Sequence, residues 1–163
     1  MQPFTLDEID RKLLLHLQRE ARATNVELSE HVYLSPPQCY RRIKRLEDEG
    51  VIKKSVALLD HEKMGYGVMA FVSITRDKEE YKGMRELENA LNRFPEVLEC
   101  YSLTGDFDYL VKVVAADLKE FSSFLKEKLL RVPGIVSVRT FICLEEVKYS
   151  TALPIEAPTV RGK

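Results

Sequence analysis

Residues 34–50 read LSPPQCYRRIKRLEDEG. Ser35 is a strong helix N-cap, and Pro36 falls at the first helical position, where a missing N–H costs nothing. Pro37 is tolerable for the same reason. Gln38, three residues after Ser35, completes a capping box, and Gly50 stands where a helix would stop. On this helix Cys39, Ile43 and Leu46 share one side, which should face a core. Pro37, Arg41, Lys44 and Arg45 lie opposite, with Gln38 and Arg42 on the shoulder. Four of the five residues from 41 to 45 are basic, in a chain whose net charge is only −1.

Two further capping boxes precede this helix. Thr24-Asn25-Val26-Glu27 opens a short helix carrying Leu28 and Val32, and Thr5-Leu6-Asp7-Glu8 opens a longer one with the stripe Leu6, Ile9, Leu13 and Leu17. A short helix, a tight turn and a basic second helix make a helix-turn-helix. Tyr33 stands in the turn, where glycine or asparagine tolerates a left-handed conformation best. The strain is about 1 kcal/mol, and packing of the ring is expected to offset it.

A positive outer face on the second helix is what a major-groove reader needs. Arg and Lys neutralise phosphates, and Arg or Gln bond base edges bidentately. Ser35, Pro37, Gln38, Arg41, Arg42, Lys44 and Arg45 form the predicted DNA-facing surface, and the acids Glu47 to Glu49 mark the end that stays away. An ordinary solvated helix face is the alternative; the two-helix layout, the Ser-Pro start and the charge polarity weigh against it. After Gly50, VIKKSVALLD (51–60) alternates enough to predict a strand, with Lys53 and Lys54 a small basic wing against phosphate.

Residues 61–66, HEKMGY, break the pattern and read as a linker between a domain over 1–60 and a second over 67–150, with a tail at 151–163. In the second domain GVMAFVSITR (67–76) reads as a strand. A helix opening at Asp77 to Glu80 follows, with the stripe Met84, Leu87, Leu91 and Phe94 closed by Pro95. VLECYSLTG (97–105) and DYLVKVVAA (108–116) are strands around a tight Gly-Asp turn. Asp117 to Glu120 is another capping box, followed by Leu118, Phe121, Leu125 and Leu129, and IVSVRTFICLEEV (135–147) is the last strand. The order β-α-β-β-α-β is the ferredoxin-like unit, so the fold class is α+β. Two helices cover one sheet face. Met69, Phe71, Phe141 and Cys143 make the other face apolar too, which predicts that a second subunit covers it.

These motifs together resemble the Lrp/AsnC family of transcription regulators over residues 5–155. LDEIDRKLLLHLQREAR (6–22) looks like the family's first helix, and ELSEHVYLSPPQCYRRIKRLEDEGVI (27–52) like its second helix, turn and recognition helix. LTGDFDYLVKV (103–113) and LLRVPGIVSVRTFICLEEVKYSTALPI (129–155) are similar to its effector domain. The resemblance implies a winged helix-turn-helix joined to a ferredoxin-like effector domain. It implies dimers assembling into tetramers or octamers on double-stranded DNA. It also implies an amino-acid effector, leucine or another aliphatic one, and control of amino-acid metabolism genes. The effector would sit at the Gly-x-Phe/Tyr-Asp turn, here Leu103, Thr104, Gly105, Asp106, Phe107, Asp108 and Tyr109, with Pro133, Gly134 and Val136 as wall. Gly105 lets backbone approach a ligand, and Asp108 can accept from an α-ammonium. The alternative is a plain hairpin turn whose aspartates bond their own backbone.

The bulk numbers fit this reading. The 163 residues are 45% hydrophobic and 31% charged, which suits a globular protein of one domain or two small ones. No apolar run is long enough to span a membrane, and the N-terminus lacks a secretory pattern, so a cytoplasmic protein is expected. Cys39, Cys100 and Cys143 are odd in number and widely spaced, which argues against a disulfide framework or a zinc knuckle. Cys39 lies on a core-facing stripe, His16 is embedded in the first helix, and His31 and His61 are isolated from other ligand types, so neither catalysis nor a metal or other cofactor is expected. The rival reading keeps the amino-acid sensor but lets the N-terminal domain contact protein; it predicts no salt-dependent binding to duplex.

Overall fold

The computed structural model describes residues 5–77 and 83–156, with residues 83 and 84 as backbone only. The expected helix start at Asp77 to Glu80 runs into 78–82 and lies outside the described residues, as does the Met84 side chain. The chain divides into two compact units. Residues up to Leu58 and those from Lys148 onward form one, and Leu59–Val147 form the other.

The first unit holds α1 (Glu8–Leu17), α2 (Asn25–Val32) and α3 (Pro36–Asp48). Leu13, Leu28, Val32 and Cys39 are buried together between them, with Ile9, Leu17 and Ile43 packed around. The helix starts follow the capping rule with one difference. The first cap is Asp7, not Thr5: its carboxylate takes the Asp10 N–H at 2.8 Å, and the Asp10 carboxylate returns to the Asp7 N–H. A carboxylate caps as well as a hydroxyl. Thr24 and Glu27 close the second box as expected. At the third, the Gln38 carboxamide oxygen accepts both the Ser35 N–H (3.0 Å) and its hydroxyl (2.9 Å).

Tyr33 takes the left-handed conformation, with φ 55°. Its ring is 92% exposed, so the expected packing is absent and the turn keeps its strain. The strand expected over 51–60 does not form; these residues make no ladder among the described residues. Val51, Val56, Leu58 and Leu59 stand exposed there. Alternating residues are not enough without a neighbouring strand to satisfy their backbone groups.

The second unit runs β1 (Val68–Arg76), α4 (Gly83–Arg93), β2 (Val97–Ser102), β3 (Tyr109–Ala115), α5 (Leu118–Ser123) and β4 (Ile135–Ile142). The sheet is antiparallel in the order β2-β3-β1-β4, the ferredoxin-like arrangement. Val68, Ala70, Val72 and Ile74 of β1 and Tyr109, Val111, Val113 and Ala115 of β3 are buried beneath Leu87, Leu91, Phe121, Phe124 and Leu129. The last helix departs from the expected stripe. α5 passes into a π-helical turn (Phe124–Lys128) and a 3₁₀ turn (Leu129–Arg131). Phe124 and Leu129, five residues apart across the wider turn, are both buried with Phe121, Leu125 is partly buried against the same core, and Leu118 at the start of α5 is exposed.

Candidate functional site

The basic residues of α3 divide into two groups. Arg42 and Arg45 reach back to α1. Arg42 bonds Asp7 at 2.6 Å and Asp10 Oδ1 at 2.8 Å, and Arg45 bonds Asp10 Oδ2 at 2.5 Å. Asp10 is completely buried, so this triad fixes the angle at which α3 leaves the core. Its signal was present in the sequence: Asp10 sits three and four residues before Leu13 and Leu14, on the apolar stripe of α1, where an acid needs a cation. Burial alone would raise the Asp7 carboxyl. The Asp10 backbone N–H and the Arg42 guanidinium overcome that and hold it below its ordinary range. The same pairing with Asp7 holds Arg42 above its ordinary value.

A pH dependence follows. The folded carboxyl titrates below the unfolded one, whose ordinary value is about 3.9. Its contribution to stability is therefore complete above that value and is lost as pH falls through the lowered folded one. Between pH 6 and pH 3, thermal melts should show a larger fall in Tm for the wild type than for Asp7→Asn. Equal falls would remove Asp7 from the account.

The second group faces outward. Arg41 is exposed, and its guanidinium has no partner among the described residues. With Gln38, Leu34, Arg42 and Arg45 it lines a shallow recess of about 390 Å³. Lys44 pairs with Asp48 at 2.7 Å, one turn along the same helix, and both are exposed. Ser35 and Gln38 hold each other at the helix start, so the Gln38 carboxamide oxygen is engaged. Pro37 is exposed beside them, and Lys53 and Lys54 are exposed beyond the helix. His16 and His31, distant in sequence, bring their rings to 4.2 Å between α1 and α2. No group of three or more His, Cys, Asp or Glu able to hold a metal occurs among the described residues. The three cysteines are free, and burial pushes the Cys39 thiol up.

In the second unit the turn after β2 passes through Gly105, whose φ of 142° lies outside the range that side chains favour. Leu103, Thr104 and Asp106 are exposed, and Phe107 and Asp108 are half-buried. Asp108 ties the turn to the end of β1. Its Oδ2 accepts the Arg76 backbone N–H at 2.8 Å, and its Oδ1 lies 3.9 Å from Arg76 Nε. Its own N–H donates to the Ile74 carbonyl, and its carbonyl accepts from Leu103, both at 2.9 Å. Tyr109 turns the other way. It is 3% exposed on the helix-covered face, and its hydroxyl donates to Glu88 at 2.9 Å. Burial, then the Glu88 carboxylate, push this phenol up to about 12. Gly134 supplies the carbonyl that accepts the Asp77 N–H, while Pro133 and Val136 are exposed nearby in sequence.

Comparison with known proteins agrees with both halves. Residues 6–53 match the winged helix-turn-helix DNA-binding model, and residues 69–153 match the Lrp/AsnC ligand binding domain. The chain is 40% identical over 151 residues to the DNA-binding transcriptional activator DecR of Escherichia coli, covering 93% of this chain and 99% of that one. It is equally 40% identical to the leucine-responsive regulatory protein of Escherichia coli, covering 93% and 92%. Among solved structures, a Neisseria meningitidis transcriptional regulator in complex with L-Met superposes with a TM-score of 0.89 at 40% identity, covering 92% of this chain and 97% of that one. An AsnC family regulator from Agrobacterium tumefaciens gives 0.85 at 36%, covering 91% and 97%. The basic second helix of a capped pair, the ferredoxin-like sheet with its Gly-Asp turn and these matches lead to one conclusion: the chain belongs to the Lrp/AsnC family of DNA-binding transcriptional regulators, with an N-terminal winged helix-turn-helix and a C-terminal ligand-binding domain.

Proposed function

We propose that the protein is a homo-oligomeric regulator that reads duplex DNA with α3 and changes that binding when a small amino acid occupies the 103–109 turn. Genes of amino-acid metabolism are its proposed targets. The observation that carries the DNA assignment is the division of labour on α3. Arg42 and Arg45 brace the helix from behind, and Arg41 projects unpaired and exposed from it. A rigidly held helix with an uncommitted guanidinium suits readout of a base edge or a phosphate. Lys44, Lys53 and Lys54 would add phosphate contacts.

The effector assignment is supported by the relative that holds L-Met and by the leucine-responsive one. The open sheet face supports assembly: Phe71, with Phe141 opposite, forms an apolar patch that a second copy of the chain would cover. Two copies would present two α3 helices to paired half-sites; further association into tetramers or octamers belongs to the same proposal.

The test is titration of operator and non-operator duplex over a range of salt. Arg41→Ala should weaken operator binding by about 1–3 kcal/mol if a base edge is lost. If Arg41 touches phosphate alone, the loss should be equal on both duplexes and the salt slope shallower by about one ion. Wild-type affinity and slope in this variant would remove α3 from the interface. Absence of any salt-dependent duplex binding by the wild type would favour a protein partner instead.

A further inference from the structure

Tyr33 holds its backbone at φ 55° and ψ 42°, and it is the only non-glycine residue with a positive φ among the described residues. Glycine takes this conformation without penalty, and asparagine takes it readily. The tyrosine ring gives nothing back inside the chain. It is 92% exposed, and its hydroxyl has no hydrogen-bond partner among the described residues. Tyr40, on the second turn of α3, is 57% exposed, and its hydroxyl likewise has no hydrogen-bond partner among them. A strained residue whose side chain is left to solvent points to a contact outside the chain.

Both rings lie on one flank. On α2, His31 turns toward α1 and brings its ring to 4.2 Å from His16. Tyr33 follows two residues later, roughly 200° round the helix. On α3, Arg42 turns toward α1 and bonds Asp7 and Asp10. Tyr40 precedes it by two residues and is displaced by the same angle. The basic face of α3 is therefore bordered on one side by salt bridges to α1 and on the other by two exposed phenols. The first turn of α3, which separates them in sequence, carries no acid, so it presents no like charge to a phosphate. A phenol hydroxyl donates one hydrogen bond, and its ring is neutral. We infer that Tyr33 and Tyr40 form an uncharged edge of the DNA interface, their hydroxyls donating to phosphate oxygens beside the groove that α3 enters. This rests on the assignment of α3 to duplex DNA. The arginine face neutralises phosphate, and the phenols fix the position of the helix without releasing counterions.

Titration of operator and non-operator duplex with the full chain, over a range of salt, tests this. Tyr33→Phe and Tyr40→Phe each remove one hydroxyl and keep the ring and the backbone. Each should weaken binding to both duplexes equally, by about fivefold, and keep the wild-type salt slope, because a neutral donor releases no ion. Tyr33→Asn, which accepts the left-handed backbone but lacks the ring, should melt no lower than the wild type and still bind both duplexes more weakly. Wild-type affinities in the two phenylalanine variants would overturn the phenolic edge, and α3 would stand if Arg41→Ala still weakened binding. A loss confined to operator, or a changed salt slope, would overturn the phosphate contact. A wild type without salt-dependent duplex binding would overturn the edge and the α3 reading together.

Discussion

Arg42→Ala combined with Arg45→Ala is expected to unfold the helical unit, not merely to weaken its hold on DNA. Both Asp10 carboxylate oxygens lie in a fully buried site, one facing Arg42 at 2.8 Å and the other Arg45 at 2.5 Å. Removing the cations leaves a buried charge with only the 3.2 Å contact from the Asp7 N–H. Breaking a buried ion pair from one side costs about 3–5 kcal/mol, a large part of the 5–15 kcal/mol that holds a typical domain. Hydrogen exchange should lose protection in α1, α2 and α3 and keep it in the sheet. Replacing Asp10 by leucine in the same background should recover much of the stability, because an apolar group of similar size needs no partner. A double variant that melts with the wild type would show that the triad carries no stability. Each single variant should lose DNA affinity through the helix angle, so a loss in Arg42→Ala is not evidence of a contact.

Asp108→Ala is expected to abolish the effector response and to destabilise the sheet unit. The carboxylate accepts the Arg76 backbone N–H at 2.8 Å. Without it that N–H is left unpaired at about 1–3 kcal/mol, and the turn carrying Asp106 and Phe107 loses its tie to β1. Asp108→Asn keeps an acceptor at the same place. If Asp108 acts by positioning the turn, Asn should preserve most of the response; if it meets the ammonium directly, Asn should lose it. Thermal shift with L-leucine and L-methionine separates the two, since ligand at 100 times its Kd adds about 2.7 kcal/mol. An alanine variant that responds like the wild type would exclude both roles.

Most of the architecture was legible because local signals agreed with one another. Caps, 3.6-residue stripes and two-residue alternation all point to the same helix and strand positions. The departures have physical causes. Helical projection placed Arg45 outward, but a long side chain can bend around its own helix toward a buried acid that projection does not see. The stripe Phe121, Leu125 and Leu129 assumed an unbroken α-helix, whereas the π-helical turn at Phe124–Lys128 brings Phe124 into the core as well. Alternation in 51–60 suggested a strand, but a strand also needs an edge to pair with. Tyr109 was grouped with the effector turn by sequence neighbourhood, although alternation along β3 already placed it with Val111 and Val113 on the helix-covered face.

The helical unit is not closed by α3. Residues 148 onward belong to it, and the Gln18 side chain grips the Leu153 backbone from both sides, donating to its carbonyl at 3.1 Å and accepting its N–H at 2.5 Å. These partners are 135 residues apart in sequence. During synthesis the three helices emerge first and can pack on one another at once. The grip on Leu153 must wait until the sheet unit, Leu59–Val147, has been made. The unit assigned to DNA thus begins folding before the sheet unit and finishes after it, so a chain cut short before Leu153 would carry its helices without their final fastening.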